Sequence, residues 1–393
     1  MAGGYHNDMV ARPPWLDPRT VYLHIPFCQH RCGYCDFAVS TGDDIQIELY
    51  LEAIELELAA LGTPRTVETA FIGGGTPTRL SIAQLERFFQ IVRRWFRWPT
   101  GAEVSIEATP ESLDEEKCRM LAAAGISRVS IGVQSFQPDS LVALDRIHRS
   151  EQIPKAIEAV RRNGLNLSLD LIFAAPGSTL ESWHRDLEAA LAFAPDHLSS
   201  YGLTYETGTP LWKQRHRGEV RAVLEDDELA MYELAIDVLT GHGYEHYEVS
   251  NFAKPGHRCR HNERYWANEA YYGHGVGAAR YVEGSRELNL RNTTDYIRKL
   301  FAGESPRFQS EKLDDRERAI ETAAVQLRRA DGIDFAGFRL QTGFDANGLF
   351  GSAFAHLEAQ GLLEADERRI RLNRRGFCVA DGVVEHLMKI ANV

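Results

Sequence analysis

Apolar positions along the chain switch between two periods. Thr20–Ile25 (TVYLHI) reads as a short buried strand, and residues 43–61 repeat apolar side chains three and four apart, the spacing of one helix face. The pair recurs at 69–72 then 82–96, 103–106 then 115–124, 128–133 then 151–163, 166–173 then 180–193, and 197–203 then 225–242. Six strands alternating with helices predict parallel pairing through right-handed crossovers, in an open doubly wound sheet or a full or partial barrel. The barrel is favoured by where reactive residues fall. Cys28, Gly73, Glu107, Gln134 and Asp170 each lie at or just past the C-terminal end of an expected strand, the functional rim of a βα barrel.

Beyond about residue 281 the rhythm changes. Helices are expected at 294–301, 315–327, Phe335–Thr342 and 352–360, followed by short strands at Leu363–Ala365 and Arg369–Leu372 around a polar turn. This pattern predicts a small winged-helix-like α+β domain, with GHGVGAAR (residues 273–280) as the linker. The expected organisation is a lead-in at 1–18, a barrel domain at 19–280 and a C-terminal domain at 281–393. At 393 residues and 44% hydrophobic, the chain can fill the core of both.

Charge narrows the function classes. A net charge of −12 argues against a nucleic-acid surface, which needs a basic face to displace counterions from phosphate. The start lacks an apolar stretch of signal-peptide length, and no run of about 18 apolar residues occurs, so a cytoplasmic protein without an integral membrane segment is expected. Six cysteines are too few for a disulfide scaffold of this length, and in reducing cytosol clustered thiols need a chemical explanation.

Three of them supply one. Cys28, Cys32 and Cys35, within HIPFCQHRCGYCDF, form C-x3-C-x2-C. A structural zinc wants four closed ligands, and His24, His30 or Asp36 would have to complete it. A redox pair would use Cys32 and Cys35 and leave Cys28 idle. A 4Fe-4S cluster held by three thiolates keeps one iron open for a ligand.

The surrounding residues then carry a resemblance. C-x3-C-x-aromatic-C is the signature of the radical S-adenosylmethionine (SAM) family, and Tyr22, His24, Ile25, Pro26, Phe27 and Cys28 resemble the Y-x-H-I-P-F-C strand of oxygen-independent coproporphyrinogen III oxidase-like proteins. The resemblance implies a partial TIM-type (β/α)6 radical SAM barrel, with a 4Fe-4S cluster on Cys28, Cys32 and Cys35 and SAM on the open iron. It implies that Tyr22, Tyr34, the Gly73, Gly74, Gly75, Thr76 loop, Glu107, Gln134, Arg146 and Asp170 surround SAM. Glycines there let backbone approach a small charged ligand, and Asp170, among apolar neighbours, needs a ligand or an arginine partner.

Two features place the chain within that group. Porphyrinogen-oxidising members carry a further cysteine where this chain has Phe37, and HNERYW (His261 to Trp266) resembles the H-N-x-x-Y-W motif of the HemW branch, regarded as heme chaperones. The resemblance implies heme at His261, Tyr265 and Trp266, with His261 as the iron ligand and Cys259 or His257 as alternatives. It implies an electron donor such as a flavodoxin-type or reductase protein, a haem-protein acceptor and a homodimer. The alternative is an oxygen-independent coproporphyrinogen III oxidase that cleaves SAM reductively. His242, His246 and Glu248 mimic a metal site but read as strand-face residues, and Cys118 and Cys378 as small core residues.

Overall fold

The structure is a computed structural model that describes residues 13–391. The expected lead-in at 1–18 therefore falls largely outside the described residues. Six strands, β1 (Thr20–Ile25), β2 (Thr69–Gly74), β3 (Glu103–Ala108), β4 (Arg128–Gln134), β5 (Asn166–Phe173) and β6 (His197–Gly202), pair in parallel, each with the next in sequence. Helices α1 (Asp44–Ala59), α2 (Ile82–Trp95), α3 (Glu115–Ala123), α4 (Ile153–Arg162) and α5 (Leu180–Ala192) make the crossovers. Each side chain on β1 to β6 takes one of two faces. Val21, Leu23, Ile72, Ile106, Val129, Ile131, Leu169 and Leu198 are fully buried in the hydrophobic core, where the crossover helices also bury their apolar faces. Tyr22, Phe71, Glu107, Ser130, Ser168, Asp170 and Ser199 turn the other way, into a polar interior.

Helix α6 (Glu225–Gly241) follows β6, and the sheet is then extended beyond the expected six strands. β7 (Glu245–Glu248) and β8 (Asn251–Ala253) add antiparallel to the β6 edge, and β9 (Tyr272–His274) adds parallel to β1, giving the order β9-β1-β2-β3-β4-β5-β6-β8-β7. The two edges do not pair with each other, so the barrel is partial and open on one side. Helix α7 (Arg260–Trp266) packs at the N-terminal ends of β2 and β3, with His261 beside Thr69 and the Arg260 N–H on Glu103.

The expected linker at 273–280 is corrected by the fold. Tyr22 pairs with Gly273, and residues 272–276 are buried inside the sheet. Its glycines serve close approach, since a Cβ on Gly273 would stand 1.8 Å from the Ala279 carbonyl oxygen. Strand β10 (Ala279–Val282) crosses the expected boundary at residue 280 and forms a second sheet with β11 (Ser285–Asn289) and β12 (Arg307–Lys312), while α8 (Thr293–Phe301) packs on α1.

The C-terminal portion contains α9 (Asp315–Gln326), β13 (Ile333–Asp334), α10 (Phe335–Thr342), α11 (Ala346–Ala359), β14 (Leu363–Ala365) and β15 (Arg369–Leu372). β13, β15 and β14 form a three-stranded sheet, and a short helix Arg374–Cys378 and α12 (Ala380–Ala391) follow. The helix expected at 352–360 begins at Ala346, because Asp345 accepts a hydrogen bond from the Gly348 N–H and caps it. This portion docks on the barrel edge through Val249 N–H to Arg328 O (3.2 Å) and Ala330 N–H to Tyr247 O (2.9 Å), which covers an otherwise open strand.

Candidate functional site

At the C-terminal ends of the parallel strands a chamber of about 460 Å³ opens, and its wall includes Cys28, Cys32, Cys35, Tyr34, Gly74 and Gly75. The loop bearing the cysteines is closed on itself. Cys28 N–H donates to Ser40 O at 2.9 Å and Ser40 N–H to Pro26 O at 2.7 Å, while Cys35 N–H donates to Cys32 O at 3.1 Å. All three thiols are free and half-buried. The Thr76 hydroxyl lies 3.8 Å from Cys28 Sγ, and Arg146 Nη1 donates to Cys32 Sγ at 3.4 Å. Burial pushes the Cys28 thiol up to about 12 against the opposing Thr76 hydrogen bond, and burial also raises Cys35.

Among the described residues no three His, Cys, Asp or Glu side chains converge on one point as a metal ion requires. Zinc would need its sulfurs about 2.3 Å from a common centre. A cubane cluster instead takes each thiolate on a different iron, so its sulfurs stand apart. The three thiols share the chamber wall, the side from which such a cluster would be held. His24, one candidate to complete a zinc site, is engaged elsewhere, its ring nitrogens bonded to Tyr22 Oη (3.0 Å) and Ala38 O (2.9 Å).

Beside the loop the glycine turn forms a tight cradle. Gly74 has φ +117°, and a Cβ on Gly75 would stand 2.8 Å from the Pro26 carbonyl and 2.9 Å from Cys28 Sγ. The Gly74 N–H donates to Glu107 Oε2 at 2.8 Å. Burial raises the Glu107 carboxyl to about 8, partly offset by that N–H and reinforced by the nearby Asp170. Asp170 itself is raised to about 6 by burial. Its carboxylate accepts from Ser130 Oγ (3.0 Å) and Ser199 Oγ (2.8 Å), so two hydroxyls, with the charge of Arg128 nearby, stand where a ligand or an arginine partner is expected. Gln134 ends β4 at φ +65°, and Arg146 Nη2 donates to Gly132 O at 2.9 Å. Tyr34, Thr76, Glu107, Gln134, Arg146 and Asp170 all line the chamber. The chamber thus offers thiols at one end and carboxyl groups opposite, around backbone that no side chain obstructs.

Tyr22 and His261 lie elsewhere. They line a second cavity of about 190 Å³ inside the barrel, below Glu107 and Asp170. His261 is 1% exposed; its Nδ1 lies 3.3 Å from Thr69 Oγ1, its ring packs on Phe71 and Tyr265, and its Nε2 has no partner. Burial, with Arg264 assisting, lowers its pKa to about 3, so the imidazole is neutral. Helix α7, which carries it, is fixed by Glu103, whose carboxylate accepts the N–H groups of Arg260 and His261 at 3.0 Å each. Glu103 also pairs with the buried Arg128 at 3.5 Å. Neither residue was a sequence candidate, since both sit at strand starts, away from the rim.

Tyr265 and Trp266 face a third cavity of about 480 Å³ on the open side of the barrel. Of the heme-ligand alternatives, Cys259 is buried, with its thiol 3.5 Å from Glu103, and burial pushes its pKa well up; the His257 carbonyl accepts from Arg128 at 2.8 Å. His246 stacks on Phe252 and Phe377, and Glu248 accepts from Asn251 and the Ser250 N–H, so neither gathers a metal. His242 bonds the Val238 carbonyl. Cys118 is buried as expected, whereas Cys378 is only half-buried. Tyr201, at the end of β6, lines all three cavities. Its place at a strand's C-terminal end was the signal that would have found it.

Comparison with known proteins accords with this arrangement. Residues 22–190 match the radical SAM superfamily and 313–379 the HemN C-terminal domain. Heme chaperone HemW of Bacillus subtilis (strain 168) is 34% identical over 371 residues, covering 93% of this chain and 98% of that protein. Its namesake in Mycobacterium tuberculosis (strain ATCC 25618 / H37Rv) is 37% identical over 380 residues, covering 94% and 95%. In fold, the chain is similar to the structure of coproporphyrinogen III oxidase (HemN) from Escherichia coli, a radical SAM enzyme, with a TM-score of 0.83 and 24% identity over 96% of this chain and 91% of that one. Among the described residues no helix is long and apolar enough to cross a membrane.

Proposed function

The chain belongs to the HemW family of radical SAM proteins, and from that premise we propose that it is a heme chaperone, binding heme and passing it to a haem protein in the cytoplasm. Membership implies a 4Fe-4S cluster and SAM, and the chamber fits both, through the three thiols that line it and the glycine cradle beside them. In this reading Cys28, Cys32 and Cys35 hold the cluster. Gly74, Gly75, Thr76, Glu107, Gln134, Arg146 and Asp170 surround SAM, Tyr34 closes the chamber wall, and Tyr22 supports the site from below through His24. When bound, the cluster supplies a low-potential electron to the SAM sulfonium. Arg146 and Thr76 supply hydrogen bonds to two of the sulfurs.

The observation that carries the chaperone reading over the oxidase is Phe37. It stands two residues past Cys35, where porphyrinogen oxidation is associated with a cysteine, and it is 63% exposed. An apolar ring there offers neither a thiol nor a proton. His261 supports the reading as the proposed iron ligand, because its Nε2 is neutral and unpartnered, and Tyr265 and Trp266 supply aromatic faces. An electron-donating flavoprotein and a homodimer complete the proposal.

The test uses anaerobically reconstituted protein. Hemin titration is expected to give a saturable Soret band that shifts in His261→Ala, with no conversion of coproporphyrinogen III to protoporphyrinogen IX. Conversion with SAM turnover would overturn the chaperone reading. An unshifted Soret band in His261→Ala would overturn the ligand assignment.

A further inference from the structure

We propose that the heme macrocycle lies in the 480 Å³ cavity on the open side of the barrel, between the β7 and β9 sides of the sheet, which do not pair with each other, and helix α9, and not in the interior cavity that His261 faces. This rests on the heme reading above. The first ground is size. Cofactor-sized ligands occupy pockets of about 300–1,000 Å³, and the interior cavity at about 190 Å³ falls below that range while the lateral one falls within it.

The second ground is chemistry. Tyr265, Trp266, Tyr271 and Tyr281 give the lateral cavity aromatic walls, which suit a flat conjugated ring. Asn251 Oδ1, on a residue only 3% exposed, lines the same cavity without a hydrogen-bond partner. A buried acceptor left unpaired costs about 1–3 kcal/mol, which a protonated propionate or a ligand-borne water would relieve. Arg286, ion-paired with Glu321 on the wall, is the cation within reach of an ionised propionate.

The third ground is placement. Asn262 and Tyr265 line both the lateral and the interior cavity, so a macrocycle in the first faces His261 across the Tyr265 ring. That leaves the Tyr265 ring between the proposed ligand and the macrocycle, so ligation by His261 requires that ring to be displaced. A macrocycle in the interior cavity would instead have to push apart the Ser, Asp and Tyr side chains that line its volume of about 190 Å³.

Two measurements on the full-length reconstituted protein decide the question, with hemin as the probe. Val325→Trp projects an indole from α9 into the lateral cavity without touching His261 or the cysteine loop. It should weaken hemin binding at least tenfold while leaving SAM binding and the melting temperature near wild type. Hydrogen exchange on the wild-type protein should show hemin protecting residues 260–271 and 315–326. Unweakened binding in a folded Val325→Trp protein, or protection confined to residues 28–37 of the cysteine loop, overturns the seat. Should Val325→Trp not fold, the exchange pattern alone decides. Wild-type protein that binds no hemin would overturn the heme reading itself, a result distinct from a misplaced seat.

Discussion

Replacing Glu107 with Gln should uncouple SAM binding from proton release. The carboxyl accepts the Gly74 N–H beside the glycine cradle, a position from which it can pair with the SAM ammonium, and burial raises it to about 8, so about nine-tenths of it is protonated at pH 7 in the ligand-free protein. Pairing with a cation requires the ionised form. SAM binding at pH 7 should therefore expel about 0.9 proton from Glu107, with Asp170, raised to about 6, adding about 0.1. The ionised fraction of a group of pKa 8 is about 0.01 at pH 6 and 0.5 at pH 8, while an α-ammonium of pKa about 8 drops from nearly full to about half, so affinity should rise about twenty-five-fold across that interval and peak near pH 8. In Glu107→Gln the rise should vanish, and affinity at pH 8 should fall about ten- to a hundredfold with the charged hydrogen bond. Calorimetry at pH 7 in buffers of different ionisation enthalpy reads the proton count directly. The sign for the ligand-free fold is the reverse: a raised carboxyl lends stability that is full below about 4.5, the unfolded value, and is lost as pH rises through 8, so Glu107→Gln should melt higher than wild type in alkaline buffer. Proton release below about 0.2, with a dissociation constant flat from pH 6 to 8, would refute the placement of the ammonium on Glu107.

Other perturbations probe the neighbouring elements. Gly75→Ala sets a methyl group 2.9 Å from Cys28 Sγ and 2.8 Å from the Pro26 carbonyl, so iron bound after reconstitution should drop below half of wild type; full iron content would mean the cradle yields. Arg146→Ala removes the N–H donor to Cys32 Sγ, and hydrogen bonds to cluster sulfurs raise the potential, so a titration followed by electron paramagnetic resonance should show a more negative midpoint; an unchanged midpoint would confine Arg146 to SAM. Glu103→Gln leaves buried Arg128 without its carboxylate and should lower unfolding free energy by about 3–5 kcal/mol in urea, a change under about 1 kcal/mol contradicting the pairing.

The barrel was legible in the sequence because burial on the helix side demands a branched apolar residue at every second strand position, and Val21, Leu23 and Ile25 meet it. The rim was legible for a related reason, since the strand ends could be located and Cys28, Glu107 and Asp170 counted from them. The second set of elements was not. β7, β8 and α7 are three to seven residues long, too short for periodicity to register, and they are held by partners far away in the chain, as α7 is by Glu103. Gly273 and Gly275 misled as linker residues because glycine marks close backbone approach as readily as freedom. The lateral cavity draws its wall from Asn251, Tyr265, Tyr281 and the Glu321–Val325 stretch of α9, four separated segments whose meeting only tertiary packing determines.

That cavity also bears on why a chain so similar in fold to an oxidase need not oxidise what it carries. A barrel left open between β7 and β9 has a polar interior, and α7 bounds it with His261 facing inward, Trp266 facing the lateral cavity and Tyr265 lining both. Tyr201 then stands where the chamber, the interior and the lateral cavity meet. A substrate destined for hydrogen abstraction has to enter the chamber, because the reacting atoms must approach within about 3–3.5 Å. A ligand held at the open side stays behind Tyr201, next to the chamber yet out of its reach. Separation of this kind suits a carrier, whose cargo must leave chemically unchanged, and Tyr201, which lines both the chamber and the proposed heme seat, is the side chain whose truncation to alanine would test it.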